Sequence, residues 1–280
     1  MNDYSKKILK VPTVTFVREQ DQGKQPVLDV RNLGIDFGGL TAVDSFNITI
    51  GPTEISGLIG PNGAGKTTIF NLLTGVYQPT RGSVLVNGID IKGMPVYKVN
   101  KLGIARTFQN IRLFSEMTVL ENVMIGRHCR THAGILSALL RDPRTVREEQ
   151  DTIDKSYDLL KTVGLETFWN ETAHNLPYGA QRRLEIARAL ATEPILLLLD
   201  EPAAGMNPQE TNELKALIRS LRDSYDLSVL LIEHDMSMVM SLSDTIYVME
   251  YGSPIASGTP EEIRSNPDVI KAYLGESHDA

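Results

Sequence analysis

The segment Gly60–Thr67 carries the clearest chemistry in the sequence, because it reads Gly-Pro-Asn-Gly-Ala-Gly-Lys-Thr and fits the pattern G-x-x-x-x-G-K-[ST]. Glycines at this spacing let successive backbone N–H groups turn towards phosphate oxygens, and the N-terminus of a following helix adds partial positive charge. Lys66 is expected to reach the β- and γ-phosphates of a nucleotide, and the Thr67 hydroxyl is a ligand for Mg²⁺. The alternative is a glycine-rich turn with an incidental lysine. We predict a phosphate loop whose nucleotide contacts come from Gly60, Pro61, Asn62, Gly63, Ala64, Gly65, Lys66, Thr67 and Thr68.

A pair of carboxylates, Asp200 and Glu201, follows a run of four leucines. Such a run is typical of a buried strand, and ligands of open α/β sheets bind beyond the C-terminal ends of the strands. An acidic pair after a strand is often simply exposed to solvent, but the phosphate loop upstream favours catalysis here. We expect Asp200 to hold the Mg²⁺ bound by Thr67, and Glu201 to act as general base towards the attacking water.

Two further polar residues are expected near the same edge of the sheet. His234 follows the apolar run 229–232, so a parallel strand there would bring its imidazole near the γ-phosphate. Gln109 lies where strand-like sequence gives way to helical sequence. Taken alone, a single histidine is more often structural, and a single glutamine carries no functional signal.

Strands that alternate with helices would position these residues, and the sequence has this texture from Val27 onwards. Apolar or alternating runs predict strands at residues 46–50, 55–59, 83–86, 195–199, 228–232 and 245–249, and Asn87-Gly88 is a hairpin turn signal. Helical spacing predicts helices after the phosphate loop, around Ile153 to Leu160, and at about 208–222. The fold class expected is α/β: a P-loop NTPase core with a mainly parallel sheet and an antiparallel β edge, plus an inserted α-helical subdomain at about 111–190. Residues 1–25 are interpreted as a flexible leader before a domain at 26–280.

Composition narrows the class of protein. The chain has 280 residues and a formal net charge of −7, which argues against a protein that coats nucleic acid. Cys129 is the single cysteine, so an intrachain disulfide is excluded and a reducing compartment is expected. The sequence lacks an apolar run of the roughly 18–20 residues that a membrane span needs, and its start does not read as a secretory signal. A role at a membrane would therefore come through a partner.

These segments, in this order, resemble the ATP-binding subunits of ABC transporters over nearly all of the chain from Val27 to Gly275. Gly60–Thr67 looks like the Walker A motif of the family, and Asp200 with Glu201 looks like Walker B and the catalytic glutamate. The resemblance implies that Gln109 contacts Mg²⁺ and water and communicates with the membrane subunit, and that His234 is the switch histidine. It also implies that Phe37 stacks on adenine, although a strand phenylalanine in the core is the alternative.

Two motifs depart from the family pattern. The signature motif, usually L-S-G-G-Q, reads Leu176-Pro-Tyr-Gly-Ala180 here. Pro177 has neither a hydroxyl nor an N–H group, so the usual serine contact with the γ-phosphate is absent, while Tyr178 and Gly179 are still expected to contact nucleotide. Asn207 replaces the aspartate of the D-loop and keeps hydrogen-bonding capacity across an interface without the charge.

Several departures look like the branched-chain amino-acid importer branch of the family, among them Leu-Pro-Tyr-Gly before Gln-Arg-Arg-Leu-Glu-Ile-Ala-Arg, and Asp-Glu-Pro-Ala-Ala-Gly-Met-Asn-Pro. The resemblance implies an ATPase that uses ATP and Mg²⁺ to power uptake of branched-chain or hydrophobic amino acids. Its partners would be a second ATPase, identical or a sister chain, transmembrane permease subunits, and indirectly a substrate-binding protein; no nucleic-acid partner is expected. The chain itself would be cytoplasmic and peripheral on the inner face of the cell membrane. The alternatives are ATPases of urea importers or lipopolysaccharide exporters, and ABC-type ATPases outside transport.

The resemblance further implies a cleft near Gln109 that receives a short helix of the membrane subunit. Its lining would include the stretch 111–123, where Leu113, Phe114 and Met117 offer apolar contacts. The alternative is that these three side chains belong to the core of the helical subdomain.

Overall fold

Two β-sheets organise the described part of the chain, residues 25–130 and 143–275 of a computed structural model. The strands are β1 (Leu28–Phe37), β2 (Leu40–Ile50), β3 (Ile55–Ile59), β4 (Arg81–Val86), β5 (Ile89–Asp90), β6 (Ile104–Arg106), β7 (Leu196–Asp200), β8 (Ser228–Ile232), β9 (Thr245–Glu250) and β10 (Ser253–Gly258). The larger sheet has the order β10-β9-β3-β8-β7-β6, in which β9 and β10 are antiparallel and all other neighbours are parallel. The smaller sheet is antiparallel, in the order β2-β1-β4-β5.

Helices connect and cover these strands. Within the described ranges they are α1 (Lys66–Leu73), α2 (Val96–Lys101), α3 (Val119–Arg127), α4 (Pro143–Thr162), α5 (Tyr178–Leu190), α6 (Pro208–Tyr225), α7 (Met236–Leu242), α8 (Pro260–Ser265) and α9 (Pro267–Gly275). In the same ranges, no helix combines the length and the apolar composition needed to cross a bilayer.

The central strands of the larger sheet are buried along their whole length, as their continuous apolar sequences predict. Alternate side chains point to opposite faces: Leu197 and Leu199 pack with α3, α4, α5 and α6. Leu196 and Leu198 pack with α1 and with the smaller sheet. A third cluster joins Ile59 and β9 to α7, α8 and α9. The larger sheet is therefore covered on both faces, which holds the ends of its strands in fixed positions.

The predicted fold class is confirmed in its α/β character, its mainly parallel sheet and its antiparallel β component. The hairpin signal is also correct, since Asn87 and Gly88 both have positive φ, +47° and +75°, between antiparallel β4 and β5. Between 111 and 190, the regular elements of the described residues are helices and 3₁₀ turns joined by irregular segments, with one isolated bridge between Thr118 and Thr172. The predicted leader, 1–25, lies outside the described residues except for Gln25.

Candidate functional site

Four adjacent parallel strands end at one edge of the larger sheet, and each delivers a residue predicted to act on nucleotide. The phosphate loop follows β3, His234 follows β8, Asp200 ends β7, and Gln109 follows β6. The strands are neighbours in the order β3-β8-β7-β6, and they run in the same direction. The fold thus brings together residues that are up to 174 positions apart in the sequence.

The phosphate loop turns tightly between β3 and α1. Gly60 and Gly65 have φ values of +152° and +98°, and a Cβ atom on Gly60 would lie 2.1 Å from the carbonyl oxygen of Met249. Lys66 is buried, and its Nζ donates to the carbonyl oxygens of Gly60 and Pro61, the latter at 2.8 Å. The backbone geometry therefore requires the glycines. The ammonium group of Lys66 lies against the loop, where it would contact a bound phosphate.

The rest of the loop is part anchor and part open surface. Ala64 is buried, and its carbonyl oxygen accepts from the N–H of Gly252 at 3.1 Å, which ties the loop to the β9–β10 turn. The first turn of α1 contains no acidic residue. A phosphate there would meet helix N–H groups without a competing carboxylate from that turn. The remaining members are exposed at Asn62, Gly63 and Thr67, and half-buried at Pro61 and Thr68.

Glu201 is the meeting point of the predicted catalytic residues. Its Oε2 accepts from Nε2 of Gln109 at 2.8 Å and lies 3.9 Å from Nδ1 of His234. Its backbone φ is +46°, a left-handed conformation that costs a non-glycine residue about 1–2 kcal/mol. The N–H of Glu201 donates to the carbonyl oxygen of Ile232, the last residue of β8, at 2.9 Å. A strained, anchored carboxylate between an amide and an imidazole is well placed to orient and deprotonate a water molecule.

Asp200, next to Glu201, is buried and paired. Its Oδ2 accepts from Nη2 of Arg106 at 2.6 Å, and both side chains are under 10% exposed. Arg106 also donates to Oδ1 of Asn71 at 2.7 Å and lies 5.3 Å from the ring centres of Phe70 and Phe108. The guanidinium therefore fixes the orientation of the carboxylate from the side of β6 and α1.

A second buried carboxylate supports the histidine. Oε1 of Glu233 accepts from the N–H of Ala203 at 2.8 Å, and its Oε2 lies 3.9 Å from Nδ1 of His234. Burial raises the pKa of Glu233 above its ordinary value, although hydrogen bonds from backbone N–H groups and the nearby imidazole oppose that shift. Glu233 thus joins the turn after β8 to the turn after β7.

Phe37 lies at the surface, so the core alternative for this residue is wrong. Its side chain is 44% exposed at the end of β1, and its ring meets Tyr77 edge to face, with 5.3 Å between ring centres. An exposed ring held by an aromatic neighbour is accessible to a planar ligand.

The signature segment lies at the N-terminus of α5. Tyr178 is 45% exposed, and Gly179 is buried against α6, where a Cβ atom would lie 2.9 Å from Oε1 of Glu210. An anion would therefore approach Gly179 from the side away from that carboxylate. Oδ1 of Asn207 accepts from the N–H groups of Gln209 and Glu210 at 3.0 Å each. The oxygen of this amide is committed to capping α6, which limits what Asn207 can offer across an interface.

The three apolar residues expected at the coupling cleft divide. Leu113 packs against the core, Met117 is half-buried, and Phe114 is 48% exposed with Arg188 over its ring at 5.6 Å. The core alternative thus applies to Leu113, and Phe114 presents an apolar surface.

Comparison with known proteins identifies the family. The family model described as "ABC transporter" matches residues 43–204. The High-affinity branched-chain amino acid transport ATP-binding proteins LivG of Escherichia coli (strain K12) and BraF of Pseudomonas aeruginosa are each 51% identical over 253 residues, which cover 90% of this chain and 99% of the relative. The chain belongs to the ABC transporter family. A second model, "Branched-chain amino acid ATP-binding cassette transporter", matches residues 253–279.

Solved structures agree with this assignment. The ADP conformation of MJ1267, an ATP-binding cassette of an ABC transporter, is similar with a TM-score of 0.79 and 31% identity. The match covers 90% of this chain and 99% of that one. The predicted family resemblance is therefore confirmed.

The donor set of this ABC cassette suits Mg²⁺. Asp200 offers a carboxylate, Thr67 an exposed hydroxyl and Gln109 an amide oxygen, all of them hard oxygen ligands. Mg²⁺ is usually held by one or two carboxylates together with substrate phosphates and water, rather than by a cage of protein ligands. The residues present fit an ion bound jointly with a nucleotide.

Sequence reasoning missed the buried charges behind the site: Arg106, Arg182, Glu185 and Glu233. No local sequence signal singles out Arg182 and Glu185, because the burial of their face of α5 follows from the packing of other elements against it. Charged residues at such positions are rarely buried unless they are paired.

Proposed function

We propose that this chain is the ATP-hydrolysing subunit of an importer for branched-chain amino acids, bound to a membrane permease at the cytoplasmic face. The observation that carries the hydrolase function is the convergence of the phosphate loop, Asp200, Glu201, Gln109 and His234 at the ends of four adjacent strands. The substrate class rests on the similarity to LivG and BraF and on the match at residues 253–279.

In the proposed reaction, the phosphate loop and Lys66 bind the phosphates of ATP, and Phe37 stacks on the adenine. Glu201 takes a proton from a water molecule as the water oxygen attacks the γ-phosphorus, and the bond from that phosphorus to the β-γ bridging oxygen breaks to release ADP and phosphate. Gln109 and His234 orient the water and the carboxylate. Thr67, Gln109 and Asp200 would hold Mg²⁺, which when bound neutralises charge on the phosphate oxygens.

The proposed assembly is a head-to-tail pair of ATPase subunits, either identical or sister chains. In this arrangement, Tyr178 and Gly179 of one subunit face the ATP on the phosphate loop of the other. The absence of hydrogen-bonding groups on the Pro177 side chain leaves the N-terminus of α5 as the main donor to that phosphate. Permease subunits and, indirectly, a substrate-binding protein complete the proposed transporter.

Replacing Glu201 with glutamine tests the hydrolase. We expect ATP affinity to persist while hydrolysis falls by about 10²-fold or more, because the amide keeps the size of the side chain and loses its basicity. In size-exclusion chromatography with Mg-ATP, this variant is expected to run as a dimer. Lys66→Ala is the matched control: it should lose ATP binding and therefore neither hydrolyse nor dimerise. Normal hydrolysis by Glu201→Gln would remove Glu201 from the mechanism, and an ATP-bound monomer would contradict the proposed pair.

The transported substrate needs a separate test. The chain, reconstituted in vesicles with its permease and binding protein, is expected to drive ATP-dependent uptake of leucine, isoleucine or valine, but not of urea. Uptake of urea alone would contradict the proposed substrate class and leave the ATPase assignment intact.

A further inference from the structure

A buried arginine on α5 holds the segment that carries Gln109. The Arg182 side chain is fully buried. Its Nη1 donates to the carbonyl oxygen of Phe108 at 2.6 Å, and its Nη2 donates to the carbonyl oxygen of Gln109 at 2.5 Å. Nη1 also donates to Oε2 of Glu185, one turn along the helix, at 3.1 Å. The guanidinium thus binds two successive carbonyl groups of another segment, which its planar fork of donors allows and a lysine ammonium does not match.

Glu185, the carboxylate paired with Arg182, binds the same segment through its backbone N–H groups. It is 1% exposed, and its Oε1 accepts from the N–H groups of Phe108 and Arg112 at 3.5 and 3.3 Å. A buried pair of this kind costs desolvation and gives little net stability. The contacts of the Arg182–Glu185 pair with the backbone from Phe108 to Arg112 are therefore better explained as positioning that segment than as stabilising the fold.

The sheet does not supply this support. The strand β6 ends at Arg106, and Thr107 still donates its N–H to the carbonyl oxygen of Leu198 at 3.0 Å. Beyond Thr107, the polar groups of the segment turn to helices: Phe108 and Gln109 to α5, and Phe114 to Asn122 of α3. The backbone that carries the Gln109 side chain, whose Nε2 lies 2.8 Å from Oε2 of Glu201, is thus held by α5.

We infer that Arg182 is a positioning residue for Gln109, which fixes the glutamine to the same helix turn that carries Tyr178 and Gly179. This inference rests on the proposed catalytic role of Gln109. Nη2 of Arg182 also lies 3.3 Å from the hydroxyl of Tyr178. A shift of the N-terminus of α5, where the second subunit's nucleotide is proposed to bind, would therefore move Gln109 relative to Glu201.

A double-mutant cycle on the full chain tests the link, with Arg182→Met and Gln109→Ala made singly and together. We expect Arg182→Met to lower kcat for ATP hydrolysis by about tenfold while the dissociation constant of a fluorescent ATP analogue changes less than about twofold. In the Gln109→Ala background, the same change should lower kcat less than about twofold, because the residue it positions is already gone. Arg183→Met is the matched control, since Arg183 is the neighbouring arginine, partly exposed and 3.5 Å from Glu213.

Two outcomes would overturn the inference. An equal loss of kcat from Arg182→Met in both backgrounds would overturn it, because Arg182 would then act independently of Gln109. A normal kcat for Gln109→Ala alone would overturn it together with the proposed role of Gln109, and would leave the roles of Lys66 and Glu201 standing. If Arg182→Met does not fold, Arg182→Lys takes its place in the cycle, since it keeps a charge beside Glu185 but cannot bind both carbonyl groups as a fork.

Discussion

Replacing Arg106 with methionine is expected to destabilise the protein strongly, because the Asp200 carboxylate would stay buried without its partner. The two side chains are 8% and 5% exposed, and their atoms are 2.6 Å apart. Removing one partner of a buried ion pair costs about 3–5 kcal/mol, and the lost hydrogen bond to Asn71 adds about 1 kcal/mol. We therefore expect the free energy of unfolding to fall by about 4–6 kcal/mol, a large part of the stability of an ordinary domain.

Urea unfolding, followed by the fluorescence of Trp169, the single tryptophan, measures this loss. Arg81→Met is the control, because Arg81 is 45% exposed while paired with Asp36 and Asp44, and such a surface pair is worth about 0–1 kcal/mol. Adding Asp200→Asn to Arg106→Met should restore part of the stability, since it removes the unpaired charge. If Arg106→Met costs no more than Arg81→Met, the account of Asp200 as a buried charge held by Arg106 is wrong.

Three other changes test separate parts of the molecule. Phe37→Ala is expected to weaken binding of a fluorescent ATP analogue by about 0.5–1.5 kcal/mol and Phe37→Trp to retain it, and equal affinities would exclude stacking. Phe114→Glu should reduce co-purification with the permease at unchanged basal hydrolysis, whereas an unfolded subunit would indicate a core role. The third change is Glu233→Gln, and its sign follows from the raised pKa of Glu233 in the folded protein. The stability that the protonated carboxyl contributes is fully present at pH values below its ordinary pKa of 4.5. This stability is lost as the pH rises from that value through the raised pKa, because the buried carboxyl then ionises. Urea unfolding at stepped pH should therefore show the glutamine variant gaining stability relative to the unmodified chain across that window, and a pH-independent difference would contradict it.

The parts of the site that sequence could predict are those encoded locally. The phosphate loop needs positive φ at Gly60 and Gly65 and a lysine at one fixed spacing, so its pattern is readable in eight residues. The strands β3, β7 and β8 are buried on both faces, so their apolar runs predicted them almost to the residue. The turn at Asn87-Gly88 was equally legible, because few residues tolerate its backbone.

The parts that could not be predicted depend on which segments meet in space. Arg106 and Arg182 look like ordinary surface charges in the sequence, and their burial follows from partners 94 and 73 residues away along the chain. Phe114 is exposed although its neighbour Leu113 packs against the core. This difference also depends on the tertiary fold, because an irregular segment has no periodicity from which burial could be predicted. Asn207 is a different case, because its role as the cap of α6 is local: Asn207, Pro208 and Glu210 form a readable capping sequence, which interpretation through the D-loop motif misses.

Glu201 and Gln109 are anchored to different parts of the fold, so the contact between them is sensitive to movement of one part relative to the other. Glu201 is fixed to the sheet through its N–H bond to Ile232, whereas Gln109 is fixed to α5 through Arg182. The 2.8 Å contact between their side chains is therefore a junction between the sheet and the helix that carries the signature segment. A side-chain contact of about 3.6 Å is no longer a hydrogen bond, so about 1 Å of added separation would break this one. A displacement of α5 of that size would be enough to release the glutamine from the carboxylate, so the distance between these two side chains follows the position of the helix that a second subunit is proposed to contact.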